Sequence, residues 1–464
     1  MNGPGRGEGA VLAIDWGSSS VRSVVVDGEG HIIGEGRAPV RWKHPRPGWV
    51  ELDPVAAWDS VVETMHAAID RAELGAGALR GIGVTTHRET VVVWDRRTGL
   101  PVHDAVVWIS AQTDDIVQRW SRAGLDAEFP RRTGLHNDSF FSAAKIVWLL
   151  ENDPELRSRA EAGELAAGTP DTWLLWQLTG GRSHVTDPGC ASRTALLDLR
   201  TLEWDAELCA LLGVPLALLP EVVASDSIFS ETSESVLPGQ VPVTAVLADQ
   251  QASMYGQACF ERGAVKNTFG TAGVFTLNTG EAPAAVNGLT SSAAWTVGGT
   301  TRYEAEGVVF HSGQTIHWLR DSIGVIDDAT DIDHFAASVP DAGGVHIVPA
   351  FGGLAAPHWD RRARASITGL TLATTGAHLV RAAVEAMVLQ TVDILDVVAA
   401  GGVRPDGPLK VDGGGSRSEL VCQLLADLAG RAVARSAEPE CTALGVASVA
   451  GAAAGLWESP EAIG

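Results

Sequence analysis

The stretch "AVLAIDWGSSSVRSVVVDGEGHIIGEGRAPV" (Ala10 to Val40) decides the fold class. Its apolar, β-branched runs are interrupted by a Gly/Ser turn at Gly17 to Ser20 and by "DGEG" at Asp27 to Gly30. Runs of this length separated by turn residues predict an antiparallel meander. In the following "LDPVAAWDSVVETMHAAIDRA", Asp53 suits an N-cap and Pro54 the first helical position. Val61, Val62, Met65, Ala68 and Ile69 recur on one face, so the segment reads as an amphipathic helix. "LRGIGVTTHRETVVVWD" then returns to strand.

Inside that last stretch Arg88 and Glu89 place opposite charges between two β-branched runs. Adjacent strand residues point to opposite faces, so the pair need not touch. Where a strand begins or bends, however, both can reach one pocket. There an arginine donates to one hydroxyl oxygen and a glutamate accepts from another.

The second half repeats the opening plan. "GAVKNTFGTAGVFTLNTG" (Gly263 to Gly280) again sets a Gly/Thr turn between apolar runs, which hints at an internal duplication. "GAHLVRAAVEAMVLQTVDILDVVAA" reads as one long helix. In "LKVDGGGSRSELVCQLLADLAG" a short strand enters three glycines, with Ser416 and Glu419 expected as a capping box and Gly430 as the helix end. At 464 residues the chain exceeds a single growing core, so two domains are expected, 1–249 and 250–464.

Composition narrows the function. A net charge of −23 with only four lysines (Lys43, Lys145, Lys266, Lys410) offers no basic face, which argues against nucleic acid and anionic membrane as partners. Five cysteines without C-x-x-C spacing suit a reducing compartment, no signal-peptide pattern opens the chain, and a cytoplasmic location is expected. His87, His136 and His311 stand isolated, without metal-ligand spacing, and read as structural or surface residues. Only the Gly-rich start "MNGPGRGEGA" reads as disordered.

Neither a P-loop nor a dinucleotide-binding glycine pattern occurs. Three other stretches carry candidate chemistry. "IDWGSSSVR" presents turn N–H groups and hydroxyls beside Asp15, suited to a phosphoryl group and a cation, although taken alone a plain hairpin is the commoner use of such a turn. "DGGGSRSE" puts a Gly-rich loop before a helix, where an anion or a flat ring can approach, or where an ordinary connection suffices. "LADQQAS" ends an apolar strand on Asp249, a helix cap or a general base.

Together with "HPRPGWVELDP", "DTWLLWQLTGG", "HVTDPGCASRT", "ADQQASMYGQ", "KNTFGTAGVF", "VPAFGGLAAPHWD" and "CTALGVASVAG", these segments resemble, in the same order, the FGGY carbohydrate kinase family over nearly the whole chain. The resemblance implies two actin-like, ribonuclease-H-type α/β domains with an interdomain catalytic cleft. It implies ATP-dependent phosphorylation of a small polyol or sugar, with Mg²⁺. Another polyol or ketose, such as a tetritol or pentulose, is the alternative substrate, and a non-catalytic sugar sensor the alternative function; a homo-oligomer is permitted but not required.

Carried over residue by residue, Asp15 corresponds to the metal-side carboxylate, and Ser18, Ser19, Ser20 and Arg22 to the phosphate turn. Arg88, Glu89, Trp108, Asp249 and Gln250 correspond to substrate contacts, with Asp249 as general base. Thr271, Gly313 and Gly414 correspond to nucleotide contacts. Phe140, in "DSFFSA", stands where polyol kinases of the family carry a tyrosine. After Trp108, "ISAQT" stands where an arginine pair is usual. His317 and Ser418 stand where the family has glutamine and asparagine near the nucleotide, and the chain stops short of the family's usual C-terminal tail.

Overall fold

A computed structural model describes residues 9–463, so the glycine-rich start over residues 1–8 lies outside the described residues. The chain divides into two units. One comprises Met1–Ala258, Ser292–Arg302 and Glu440–Gly464; the other comprises Cys259–Ser291 and Tyr303–Pro439.

In the first unit, β1 (Ala10–Trp16), β2 (Ser20–Asp27) and β3 (Ile32–Pro39) form the expected antiparallel meander. Helix α1 (Pro54–Arg71) follows, with the Asp53 carboxylate accepting from the N–H groups of Val55 and Ala56 at 3.0 and 3.3 Å. Its buried stripe of Val61, Met65, Ala68 and Ile69 joins the core beneath the sheet, with Val61, Met65 and Ile69 each contributing about 1.5–3 kcal/mol. Strand β4 (Leu79–Thr86) pairs parallel with β1. The chain then leaves the sheet: β5 (Val92–Asp95) pairs instead with β6 (Leu165–Gly168). The two β-branched runs around Arg88-Glu89 therefore belong to different sheets, and the charges stand at the junction. β7 (Ser230–Glu231) and β8 (Pro242–Ala248) complete six strands, ordered β7-β8-β4-β1-β2-β3, with β8 parallel to β4.

Helix Cys441–Ala453 packs on β1, β4 and β8 and on helix Asp249–Gly256. The two helices approach too closely for side chains at the contact. A Cβ on Gly256 would lie 1.9 Å from the Cys441 carbonyl, and one on Gly445 1.9 Å from that of Ala252.

The second six-stranded sheet repeats the topology. β9 (Val265–Phe269), β10 (Gly273–Gly280), β11 (Thr290–Val297), β12 (Thr300–Val309), β13 (Leu409–Asp412) and β14 (Val433–Arg435) run in the order β11-β12-β10-β9-β13-β14. β9 and β10 are antiparallel, as are β10 and β12; β9, β13 and β14 are parallel. This is the plan of β3-β2-β1-β4-β8, so the duplication is one of topology. The long helix spans Gly376–Ala400 as expected. One expectation fails. Residues 414–417 form a short 3₁₀ turn, and the cap of helix Glu419–Ala429 is Ser418, accepting from Val421 N–H at 3.0 Å, whereas Ser416 bonds back to the Gly413 carbonyl. Three glycines supply enough turn for the tighter helix to form first, which moves the cap two residues on. Among the described residues no helix is long and apolar enough to cross a membrane.

Candidate active site

Register assembles the first cluster. Trp16 is level with Thr86, and Thr86 with Ala248, so the C-terminal ends of three adjacent parallel strands coincide. From these ends emerge the Gly17 turn, then His87-Arg88-Glu89, then Asp249-Gln250, and the carboxyl ends of parallel strands are where α/β sheets hold ligands.

The Arg88-Glu89 corner is sharply bent. Glu89 has φ +62°, and the Thr90 N–H donates to the Arg88 carbonyl at 2.7 Å, closing a three-residue γ-turn. A β-strand puts neighbours on opposite faces; this turn puts both on one side. Conformations of this kind cost about 1–3 kcal/mol and persist where surrounding contacts over-determine them. Here the contacts are buried charges. Arg88 Nε lies 3.8 Å from Glu89 Oε1 and 3.4 Å from Asp249 Oδ1, and Arg88 Nη1 reaches Gln251 Oε1 at 3.5 Å. Arg88 and Glu89 are almost fully buried, while the Asp249 side chain keeps 24% of its exposure. Asp249 begins its helix at the first helical position, and its Oδ1 accepts from the Gln250 N–H at 2.7 Å.

An aromatic wall stands beside these groups. The Trp108 indole N–H donates to Ser18 Oγ at 2.9 Å, and its backbone N–H to Thr90 Oγ1 at 3.2 Å. Phe140 is buried edge-on to Trp108, with ring centroids 5.6 Å apart. The Phe140 segment is held from below by the buried Lys145, whose ammonium donates to the carbonyls of Ser139, Phe140 and Phe141 at 2.8, 2.6 and 3.0 Å. His87 is structural: its ring Nδ1 and its backbone N–H both meet the Trp16 carbonyl, and burial lowers its pKa.

In the Gly17 turn, the Gly17 N–H donates to the Ser20 carbonyl at 3.0 Å, the Ser19 carbonyl accepts from Val40, and the Ser19 side chain is exposed. Arg22 is ion-paired with Glu440 and lies 3.7 Å from Glu35. Asp15 sits across from Arg22 in the β1–β2 pairing. Burial raises its pKa to about 7; Arg22 opposes the shift, while the carboxylates of Asp249 and Glu440 add to it. Its negative charge is thus under-compensated.

The second unit carries a separate cluster. The Gly270 N–H donates to the Ala272 carbonyl at 3.0 Å, so this turn is one residue tighter than the Gly17 turn. Thr271 is exposed at its tip, and its carbonyl accepts from Ser312 and Gln314, which joins the turn to the start of helix Gly313–Trp318. A Cβ on Gly313 would meet the Gly270 carbonyl at 2.7 Å. The three glycines after β13 divide their duties. Gly413 has φ +81° and would push a Cβ to 2.7 Å from the Phe269 carbonyl, and Gly415 would meet the Phe269 side chain at 2.8 Å. A Cβ on Gly414 would meet nothing within 4 Å. Packing therefore needs Gly413 and Gly415, whereas Gly414 faces open space. His317 lies on the Gly313–Trp318 helix with a buried Nδ1 that has no partner, and Ser418 is committed to its cap and to Asp333.

The sequence reading did not single out Arg193, Lys145, Gln251 or Glu440. "CASRT" contained the first of them, but nothing in spacing joins Arg193 to Glu89.

Two α/β units of one topology, one bearing a buried carboxylate–arginine cluster at parallel strand ends and the other a turn backed by a Gly-rich loop, define a two-domain kinase-type phosphotransferase fold. Residues 10–256 match the N-terminal domain, and residues 265–454 the C-terminal domain, of the FGGY family of carbohydrate kinases. The chain belongs to that family and is a phosphotransferase acting on an alcohol. It is 44% identical to a glycerol kinase of Alkalilimnicola ehrlichii, covering 96% of this chain and 90% of that one. It is also 44% identical to a glycerol kinase of Carboxydothermus hydrogenoformans, covering 97% and 91%. A crystal structure of Plasmodium falciparum glycerol kinase with ADP superposes with a TM-score of 0.89 at 31% identity, covering 98% of this chain and 92% of that one.

Proposed function

We propose that the protein transfers the γ-phosphoryl group of ATP to a primary hydroxyl of glycerol, giving glycerol 3-phosphate. The observation that carries this reading is the convergence of Arg88, Glu89 and Asp249 at the ends of two adjacent parallel strands, in a chain whose similar relatives are glycerol kinases. Glycerol presents neighbouring hydroxyls that are both donors and acceptors. Arg88 donates to one, Glu89 accepts from another, and the apolar carbon edge rests against Trp108 and Phe140. Asp249, the more exposed carboxylate, accepts the proton of the attacking hydroxyl, with Gln250 beside it.

Phosphoryl transfer asks a protein mainly for positioning and charge neutralisation. Residues 1–249 supply the polyol site and the phosphate turn of Ser18, Ser19, Ser20 and Arg22; residues 250–464 supply the nucleotide site through Thr271, Gly313, His317, Gly414 and Ser418. A divalent cation fits the under-compensated charge of Asp15, so Asp15 would hold Mg²⁺, which when bound neutralises charge on the phosphates. Five cysteines present as thiols agree with a reducing, cytoplasmic setting.

Phe140 favours one second reading, a kinase for another polyol or ketose, because a wall without a hydroxyl reads one substrate oxygen fewer. ADP release measured over glycerol, tetritols and pentuloses tests both. Turnover with glycerol is expected; turnover with pentuloses alone removes glycerol, and none with any member removes the kinase reading in favour of a sensor. Asp249→Asn is expected to lower kcat by about 10²–10⁴-fold with ATP binding retained by calorimetry. Full activity in that variant would exclude Asp249 as base.

A further inference from the structure

Arg193 stands in the "CASRT" turn, 104 positions beyond Glu89, and its side chain is fully buried. Its Nε donates to Glu89 Oε1 at 2.7 Å, Nη1 lies 3.3 Å from Ser292 Oγ, and its guanidinium lies over the Phe141 ring, 5.3 Å from the centroid. Glu89 Oε1 is thereby shared between a close arginine, Arg193, and a more distant one, Arg88, at 3.8 Å. Ser142 Oγ donates to the Glu89 carbonyl at 3.1 Å, so carboxylate and backbone of the γ-turn residue are each held by a different element.

We propose that Arg193 is a positioning residue for substrate selection: it fixes the rotamer of the Glu89 carboxylate, so that Glu89 presents a hydroxyl acceptor without Arg193 touching the polyol. The physical need is specific. Arg88, the charged neighbour of Glu89 in sequence, is shared with Asp249 and Gln251. A buried guanidinium with a single Nε–H aimed at one oxygen supplies both charge and direction. Phe141 and Ser292 hold the guanidinium in turn, and Phe141 is the neighbour of Phe140 in the substrate wall.

The inference rests on the assignment of Glu89 to the polyol, and steady-state kinetics with glycerol and ATP varied separately tests it. Loss of one charged hydrogen bond predicts that Arg193→Gln raises KM for glycerol roughly 10- to 150-fold, with KM for ATP within about twofold of wild type. Arg193→Lys should recover part of the loss. In a Glu89→Gln background, where no carboxylate needs the guanidinium, the same Arg193→Gln step should cost less than about threefold more. Should Arg193→Gln alone not fold, because it strands a buried charge, the comparison of Glu89→Gln with the double variant still decides. Equal costs in both backgrounds, an unchanged KM for glycerol, or a parallel rise in KM for ATP each overturn the inference. A wild type inactive on every polyol and ketose fails the proposed function instead, whereas an active wild type with flat KM across the Arg193 variants fails this inference alone.

Discussion

The indole N–H of Trp108 donates to Ser18 Oγ at 2.9 Å, tying the aromatic wall to the turn after the first strand. Under the proposed function this bond makes substrate wall and phosphate turn one rigid element. Trp108→Phe keeps the apolar surface and removes the donor. A neutral hydrogen bond is worth about 0.5–1.5 kcal/mol, so kcat/KM for glycerol should fall roughly 2- to 12-fold. An unchanged kcat/KM would show that the two elements act independently.

Phe140 meets Trp108 edge-on and offers no hydroxyl. Phe140→Tyr should lower KM for glycerol by roughly 2- to 12-fold, one neutral hydrogen bond, if the added hydroxyl reaches a substrate oxygen. The kinetic comparison of glycerol with a tetritol reads it directly. A fall for the tetritol alone would transfer the preference to the longer polyol.

Gly413 and Gly414 should separate stability from nucleotide binding. At φ +81°, with the Phe269 carbonyl 2.7 Å from a new Cβ, Gly413→Ala should destabilise by about 1–3 kcal/mol, visible as a lowered Tm. Gly414→Ala meets nothing, so its Tm should hold within about a degree or two, since surface changes stay within about 0.5 kcal/mol. If ATP approaches there, KM for ATP rises while KM for glycerol stays. A Gly414→Ala variant with wild-type kinetics would remove Gly414 from the nucleotide site.

His184 gives a pH dependence that involves no catalytic group. Burial lowers its pKa to about 4, and Arg96, whose Nη2 lies 3.2 Å from the ring Nδ1, adds to the shift against the bond to the Ala167 carbonyl. The unfolded chain takes up a proton near pH 6.5 and the folded one does not until about pH 4, so folding stability is lost as pH falls through that window. His184→Gln keeps a donor and an acceptor without titrating. Its Tm should drop less than that of wild type between pH 7 and pH 5, by calorimetry; an equal drop would move the acid sensitivity elsewhere.

Much of the fold was legible because it depends on local chemistry. Asp53 and Pro54 announced a helix start, the Gly/Ser and Gly/Thr turns announced two matching meanders, and Asp15 and Asp249 stood out as acids at the ends of apolar strands. The Ser416 cap failed because a capping box and a 3₁₀ turn use the same residue types, and backbone geometry around three glycines chose between them. Arg88-Glu89 was visible as an anomaly but not as a γ-turn, since nothing in the letters separates a strand that continues from one that bends into another sheet.

The sequence by itself determined the residue types at the strand ends, the twofold plan and the family, because turn chemistry, hydrophobic period and ordered motifs are carried by neighbours in the chain. Only the tertiary structure decided that Glu89 is gripped by Arg193 and that Lys145 braces the Phe140 segment. Both depend on a charge too costly to bury alone. Lys145 finds nearby carbonyls, but Glu89 meets its closest guanidinium only where folding brings a turn 104 positions away against it.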